Sequence, residues 1–330
     1  MHYKPATDYE EAGFTGIRTF MHLPHVKTRE HIDYAIMGHA FDTGVTNAPG
    51  ARFGPEAIRS RSMRISSYDA AFDIELFEDL SGVDYGDLSI TPGFIEENYE
   101  RVEEQLVPFF SNNIVPIIFG GDHSVSLPHL RAAAKAYGPV SLLHFDAHSD
   151  TWDSSFQGKK YTHATMFRRA VEEGIVNTKT SIQIGMRQYS KQHLIDNREL
   201  GYEVITALDF REMGIKEVIK RANQRIGHTP TFLTFDIDFL DPTYAPGTGT
   251  PEVGGFTNTE AFELLRGVAG GNFIGFDLVE VLPDRDPAGT TALNAAHVAA
   301  KFLALLAYNK KHKSLTLNLA STGGKPVFLL

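Results

Sequence analysis

Short, almost wholly apolar runs recur along this chain, and stretches with helical spacing separate most of them. Ile32–Phe41, Ile114–Gly121, Val140–His148, Ser181–Arg187, Thr231–Asp241 and Asn272–Pro283 read as strands, and Tyr202–Phe210 is strand-like. Between them Pro55–Ile65, Phe94–Asn112, Pro128–Tyr137, Thr162–Gly174, Met213–Ile226, Thr257–Gly270 and Asn294–Asn309 read as helices. Pro55 suits a first helical turn, where its missing N–H loses nothing, and Thr162 is a candidate N-cap. A strand apolar on both sides needs cover on both sides. The pattern therefore predicts a three-layer α/β/α fold around a mostly parallel sheet of about eight strands. No Pro/Ser linker, low-complexity tract or repeat divides residues 1–330, so one domain is expected, with residues 1–30 as an N-terminal arm and 310–330 as a C-terminal tail.

Composition narrows the chemistry. The 330 residues include no Cys, which excludes disulfides, thiolate metal sites and a Cys nucleophile. Asp and Glu (41) outnumber Lys and Arg (31), and no long basic block appears, so a nucleic-acid partner is not expected. No uninterrupted apolar run reaches the ~18–20 residues that span a bilayer. The first residues lack the basic-then-apolar order of a secretory leader, so a cytoplasmic location is the expectation.

In parallel sheets ligands sit beyond the carboxyl ends of the strands, and three ends here are conspicuously polar. They read Gly120-Gly121-Asp122-His123-Ser124, His144-Phe145-Asp146-Ala147-His148-Ser149-Asp150 and Phe235-Asp236-Ile237-Asp238-Phe239-Leu240-Asp241. Extended spacing puts His144, Asp146, His148 and Asp150 on one side, and Asp236 and Asp238 on one side. Carboxylates crowded into a partly buried pocket repel one another unless cations neutralise them. Asp146, Asp150, Asp236 and Asp238 carry four negative charges, which two divalent ions would balance. With His123 and His148 added, the donors are all O and N, a set that suits Mn²⁺ first, with Ni²⁺, Co²⁺ or Zn²⁺ behind it.

These motifs resemble the metal-binding signatures of the ureohydrolase family, which includes arginase, agmatinase and guanidino-acid hydrolases. The resemblance runs from about Ile32 to about Ala307. It takes in APGARFGP (48–55), YTHATMFRRA (161–170), the run from Phe235 to Gly255 and FDLVEVLP (276–283). The segment PGTGTPEVGG (246–255) looks like agmatinase and guanidinobutyrase more than arginase. By this resemblance one metal is held by His123, Asp146, Asp150 and Asp236, and the other by Asp146, His148, Asp236 and Asp238. His144 shares the face but is no ligand in the family.

The implied reaction is hydrolysis of a guanidino compound to urea and an amine, with a metal-activated water as nucleophile. Asp238 would accept a proton, Glu280 would bind the guanidinium, and His163 would shuttle a proton to the leaving amine. A carboxylate pairs with a guanidinium through parallel N–H bonds, and an imidazole has a pKa suited to the shuttle. Two departures from the family pattern stand out: Ala48 where an Arg is usual and Ala164 where a Gly is usual. Agmatine, giving putrescine, leads as substrate because a cationic molecule suits an acidic protein. A linear guanidino acid such as guanidinobutyrate or guanidinopropionate follows, then guanidine or another substituted guanidine, or formimino hydrolysis on the same centre. The resemblance also implies a homotrimer or homohexamer. Asp122 and Asp241 read as loop-orienting, and Arg168-Arg169 as a solvated helix face.

Overall fold

The computed structural model of the chain describes residues 1–5 and 15–321. Eight strands form one sheet: β1 (Tyr34–His39), β2 (Gly82–Asp87), β3 (Val115–Gly120), β4 (Ser141–Phe145), β5 (Ile182–Met186), β6 (Glu203–Thr206), β7 (Thr231–Asp236) and β8 (Phe273–Val279). Their order is β2–β1–β3–β8–β7–β4–β5–β6 and every pairing is parallel. Helices α1 (Gly54–Ser62), α2 (Leu76–Asp79), α7 (Ala207–Met213), α8 (Ile215–Ile226), α9 (Asn258–Gly267) and α10 (Thr290–Ser321) pack on one face. The other face carries α3 (Ile95–Ser111), α4 (Ser126–Tyr137), α5 (Met166–Glu172) and α6 (Lys191–Glu199).

The strand pleat sorts the apolar runs between two cores. Tyr34 and Ile36, Ile117 and Phe119, Leu143 and Phe145, Leu233 and Phe235 join one core, while Ala35 and Met37, Ile118, Leu142 and Phe232 join the other. That alternation is why these runs are apolar without interruption, as expected of strands buried on both sides. Polar residues gather where the strands end, although His144, Gln183 and Thr234 sit buried within theirs.

Several boundaries differ from the sequence reading. Strand β2 has no apolar run to announce it, because it carries Asp84 at a buried position. The buried guanidinium of Arg59 offsets that charge, with Nε 2.8 Å from Asp84 Oδ2 and Nη2 3.0 Å from Oδ1. The strand-like Tyr202–Phe210 stops at Thr206, where a capping box with Asp209 starts α7. Thr162 is not an N-cap. Helix α5 begins at Met166, and the Thr162 hydroxyl bonds Ser155 Oγ at 2.7 Å. Arg169 is buried rather than solvated, donating to Asp153 O at 2.9 Å and to Glu172 Oε1 at 2.9 Å.

The strands Val140–His148 and Thr231–Asp241 end early, at Phe145 and Asp236. Helix α10 extends further than Asn294–Asn309 on both sides and takes in part of the expected tail. It has the length and composition of a membrane span, but 78% of its apolar window is buried inside the fold. In the expected N-terminal arm, Phe20, Met21 and Leu23 are buried in the core and His25 bridges to Asp84. Residues 6–14 of the arm and 322–330 of the tail lie outside the described residues.

Candidate metal centre

Four adjacent central strands, β3, β8, β7 and β4, end at one crevice. They bring there His123, Glu280, the pair Asp236 and Asp238, and the group Asp146, His148 and Asp150. Chain order reverses across this part of the sheet, since β3 is followed by β4 on the far side of β8 and β7. Such a switch in strand order is where ligands bind in open parallel sheets.

One local device repeats at these ends. The Asp122 carboxylate accepts from Ser124 N at 2.8 Å, Asp146 from His148 N at 2.6 Å and Asp236 from Asp238 N at 2.8 Å. Each Asp thus bonds the backbone two residues on and folds the chain out of the strand. The two-residue spacing in Asp-Ala-His and Asp-Ile-Asp reflects this turn and not a continued pleat. His148, Asp150 and Asp238 lie beyond their strands, so the expected reason for their convergence is corrected although the convergence is found. Asp150 and Glu280 both have left-handed backbones, at φ 52° and 61°. Such conformations cost roughly 1–3 kcal/mol each and persist where the surroundings enforce them. Gly121 admits no substitute, because a Cβ there would lie 1.7 Å from Phe41 O.

The donors gather into two overlapping groups. His123 Nδ1 lies 3.0 Å from Asp146 Oδ2, 3.0 Å from Asp150 Oδ2 and 3.2 Å from Asp236 Oδ2. His148 Nδ1 lies 3.0 Å from Asp238 Oδ2 and 3.3 Å from Asp146 Oδ1. Asp146 belongs to both groups through its two oxygens. His123 Nε2 is 2.8 Å from Thr234 Oγ1, and in the tautomer with the ring proton on that side Nδ1 presents a lone pair. Nδ1 is buried and has no hydrogen-bond partner. A bare nitrogen and three carboxylate oxygens facing one point are all acceptors, and a cation is what such a set accommodates. The residues fit a metal on that ground. Burial, with Asp238 and Asp146 alongside, pushes the Asp236 carboxyl well above the usual carboxylate range. Burial also raises Asp238.

His144 is also within ligand distance of this group, with His123 and Asp146. Its bonds give it a different part. Gln183 Nε2 donates to His144 Nδ1 at 2.9 Å and to Ser149 O at 2.8 Å, while Gln183 Oε1 accepts from Asn197 Nδ2. The His144 proton is then on Nε2, which donates to Asp146 Oδ2 at 2.8 Å. His144 orients a carboxylate, as groups behind metal ligands commonly do. Gln183 and Thr234 went unread in the sequence. A polar residue inside an otherwise apolar strand was their only signal.

Glu280 and His163 sit against the metal group. Glu280 Oε1 accepts from His123 N at 2.9 Å and from His163 Nδ1 at 2.7 Å. Glu280 Oε2 is buried and unpaired, and a Cβ placed on Gly249 would come within 3.3 Å of it. Burial opposes charge on His163, but the Glu280 carboxylate outweighs it and lifts its pKa to about 9. Ala164 is not among the left-handed residues, so its extra methyl adds no backbone strain beside His163. Ala48 is buried against Ala51 and Leu282.

The expected orienting acids do orient loops. Asp122 Oδ2 accepts from Gly44 N at 2.7 Å, and Asp241 Oδ2 accepts from Gly254 N and Gly255 N at 2.9 and 3.0 Å. Arg187, unread in the sequence, donates to Asp238 O at 2.6 Å and Glu252 O at 2.8 Å, holding the Asp238 turn against the 246–255 loop. Trp152, half-buried, packs against His193 with ring centres 4.7 Å apart and planes tilted by 35°.

A three-layer parallel α/β fold with imidazoles and carboxylates converging at its central strand ends defines a metal-binding hydrolase. The Arginase family model matches residues 32–305, and the chain belongs to that family. It is 39% identical over 295 residues to the mitochondrial guanidino acid hydrolase of Homo sapiens, covering 88% of this chain and 83% of that protein. It is 38% identical over 293 residues to the mitochondrial agmatinase of Gallus gallus, covering 88% and 86%. In structure it is similar to the proclavaminate amidino hydrolase of Streptomyces clavuligerus, with TM-score 0.87, 35% identity and coverage of 91% and 100%.

Proposed function

We propose that this protein hydrolyses a linear guanidino compound to urea and an amine at a centre of two divalent ions. The observation that carries the reading is Glu280 Oε2, a buried and unpaired carboxylate oxygen beside the metal group. An unpaired buried carboxylate is costly unless a ligand completes it, and a planar cation with N–H donors does so. His123, Asp146, Asp150 and Asp236 would hold one ion, and Asp146, His148, Asp236 and Asp238 the other. When bound, such a pair supplies an acidified water and a field that stabilises developing negative charge. Mn²⁺ suits the all-O/N donor set best, with Ni²⁺ or Co²⁺ next.

The chain's own groups then have separate tasks. Glu280 Oε2 receives a guanidinium N–H, while Oε1 is held by His123 N and, until its proton is delivered, by His163 Nδ1. Asp238 accepts the proton released as the attacking oxygen adds to the guanidinium carbon. His163 Nδ1, on the Glu280 side, delivers a proton to the departing amine. Fixing these groups before substrate arrives lowers the barrier by position and by field.

Agmatine is the leading substrate, and a linear guanidino acid is the second reading. The protein's acidic balance favours a cation. The agmatinase relative supports the first reading and the guanidino acid hydrolase relative the second. The test is urea release from agmatine, guanidinobutyrate, guanidinopropionate and guanidine after loading with Mn²⁺ or Ni²⁺. Urea from at least one is expected. Folded, metal-replete protein that releases none overturns the proposal, and ammonia or formamide from a formimino compound would replace it with the alternative chemistry.

A further inference from the structure

The water that attacks releases a proton and the departing amine takes one up, so a proton donor at the site exchanges protons either within the site or with solvent, and His163 is only 7% exposed. Its two ring nitrogens face different ways. Nδ1 meets Glu280 Oε1 inside the site. Nε2 meets Thr46, whose Oγ1 lies at 2.6 Å and whose N–H points to the same nitrogen at 3.1 Å. Thr46 itself is only partly buried, and its hydroxyl meets the buried imidazole on the side away from Glu280.

The surrounding loop holds Thr46 in register with the ring. His163 N donates to Gly44 O at 2.9 Å, and Gly44 N donates to Asp122 Oδ2 at 2.7 Å. On the other side, Asp42 Oδ2 accepts from Gly50 N at 2.7 Å. The loop is therefore tied down before and after Thr46. A hydroxyl can donate to a bare Nε2 and accept from a protonated one without moving. A side chain that only donates, only accepts or does neither serves one protonation state at most.

We propose that the Thr46 hydroxyl is the solvent-side relay for His163. In the reloading direction hydronium or a buffer acid at the surface passes a proton to Thr46 Oγ1 and remains as water or its conjugate base, the Thr46 O–H proton moves to His163 Nε2, and the Nδ1 proton leaves on the Glu280 side. The reverse sequence discharges the ring, and no charge remains on Thr46 in either direction. The inference rests on the reading of His163 as the proton donor.

Thr46→Val keeps the shape and removes the hydroxyl, and Thr46→Ser restores it. Both are compared with wild-type protein on whichever guanidino compound the wild type converts to urea. Thr46→Val is expected to lower kcat about tenfold or more, with KM within about twofold of wild type. Its kcat should rise with buffer concentration at fixed pH and ionic strength, and its solvent deuterium isotope effect should exceed that of wild type. Thr46→Ser should recover most of kcat and lose the buffer dependence. A Thr46→Val enzyme with wild-type kcat overturns the relay. So does a slowed one indifferent to buffer and to deuterium, or a Thr46→Ser enzyme as impaired as Thr46→Val. Wild-type protein that releases no urea is a separate result, which overturns the functional reading and the relay with it.

Discussion

Glu280 combines three properties that rarely meet in one residue: a left-handed backbone, near-complete burial and an unpaired oxygen. Backbone strain of that kind is retained where it aims a side chain. Replacing Glu280 with Gln keeps its size and hydrogen bonding to His123 N but removes the charge that a guanidinium meets. We expect Glu280→Gln to lower kcat/KM by about 10²–10³ while metal content by elemental analysis stays at the wild-type level. A variant that loses metal and activity together would place Glu280 in the metal group instead. Much at this level was readable beforehand. The six carboxylates and imidazoles at strand ends announced themselves, because charge at the end of an apolar strand has little other use. Thr46, Thr234 and Gln183 did not, since a hydroxyl or amide is common everywhere and only its neighbours make it specific.

Among the elements, the strand-end turns and the groups behind them decide how firmly the centre is built. The series Asn197–Gln183–His144–Asp146 runs from α6 across β5 and β4, and every amide and imidazole orientation in it is set by the next. Gln183→Leu breaks it. Metal affinity measured by chelator competition should fall about 10–100-fold, and unchanged affinity would show that His144 needs no support. A second buried series runs from α3 through β1 to α4 and β8. Asn98 Nδ2 donates to His39 Nε2 at 3.0 Å, His39 Nδ1 to His129 Nε2 at 3.0 Å, and His129 Nδ1 to Asp277 Oδ2 at 2.9 Å.

With the bonds in this direction the His39 ring is neutral, accepting at Nε2 and donating from Nδ1. Burial, with His129 alongside, holds the His39 pKa well below the ordinary imidazole value. The unfolded chain then takes up a proton that the folded one refuses, so this contribution to stability is full above about pH 6.5 and is lost as pH falls below it. Urea unfolding with chelator between pH 7.5 and 5.5 should show it. Relative to His39→Leu, the wild type should lose up to about 1.4 kcal/mol more per pH unit below 6.5. Equal pH slopes would remove the argument.

In the molecule as a whole, the two cores support a crevice that is electrostatically incomplete without cations. Burial beside other carboxylates raises the proton affinity of Asp236 and of Asp238. Divalent ions that bind only the folded chain stabilise it by about 2.7 kcal/mol per site at a hundredfold excess over Kd. Thermal unfolding with Mn²⁺ should therefore shift upward by roughly 10 °C relative to chelated protein, and Asp236→Asn should abolish most of that shift. An equal shift in the variant would locate the stabilising metal elsewhere. The layered parallel architecture and the donor set were legible from residue order alone, because burial on both faces forces apolar runs and makes any polar strand end conspicuous. Strand β2 was hidden because Asp84 is neutralised by Arg59 from a distant element. Which atoms of the donors meet, where the imidazole protons lie and that Thr46 reaches His163 depend on contacts between segments more than a hundred residues apart, such as Thr46 and His163. Local order dictates burial and turns, since these act over a few residues. The aim of a hydrogen bond is settled only when the chain has closed around it.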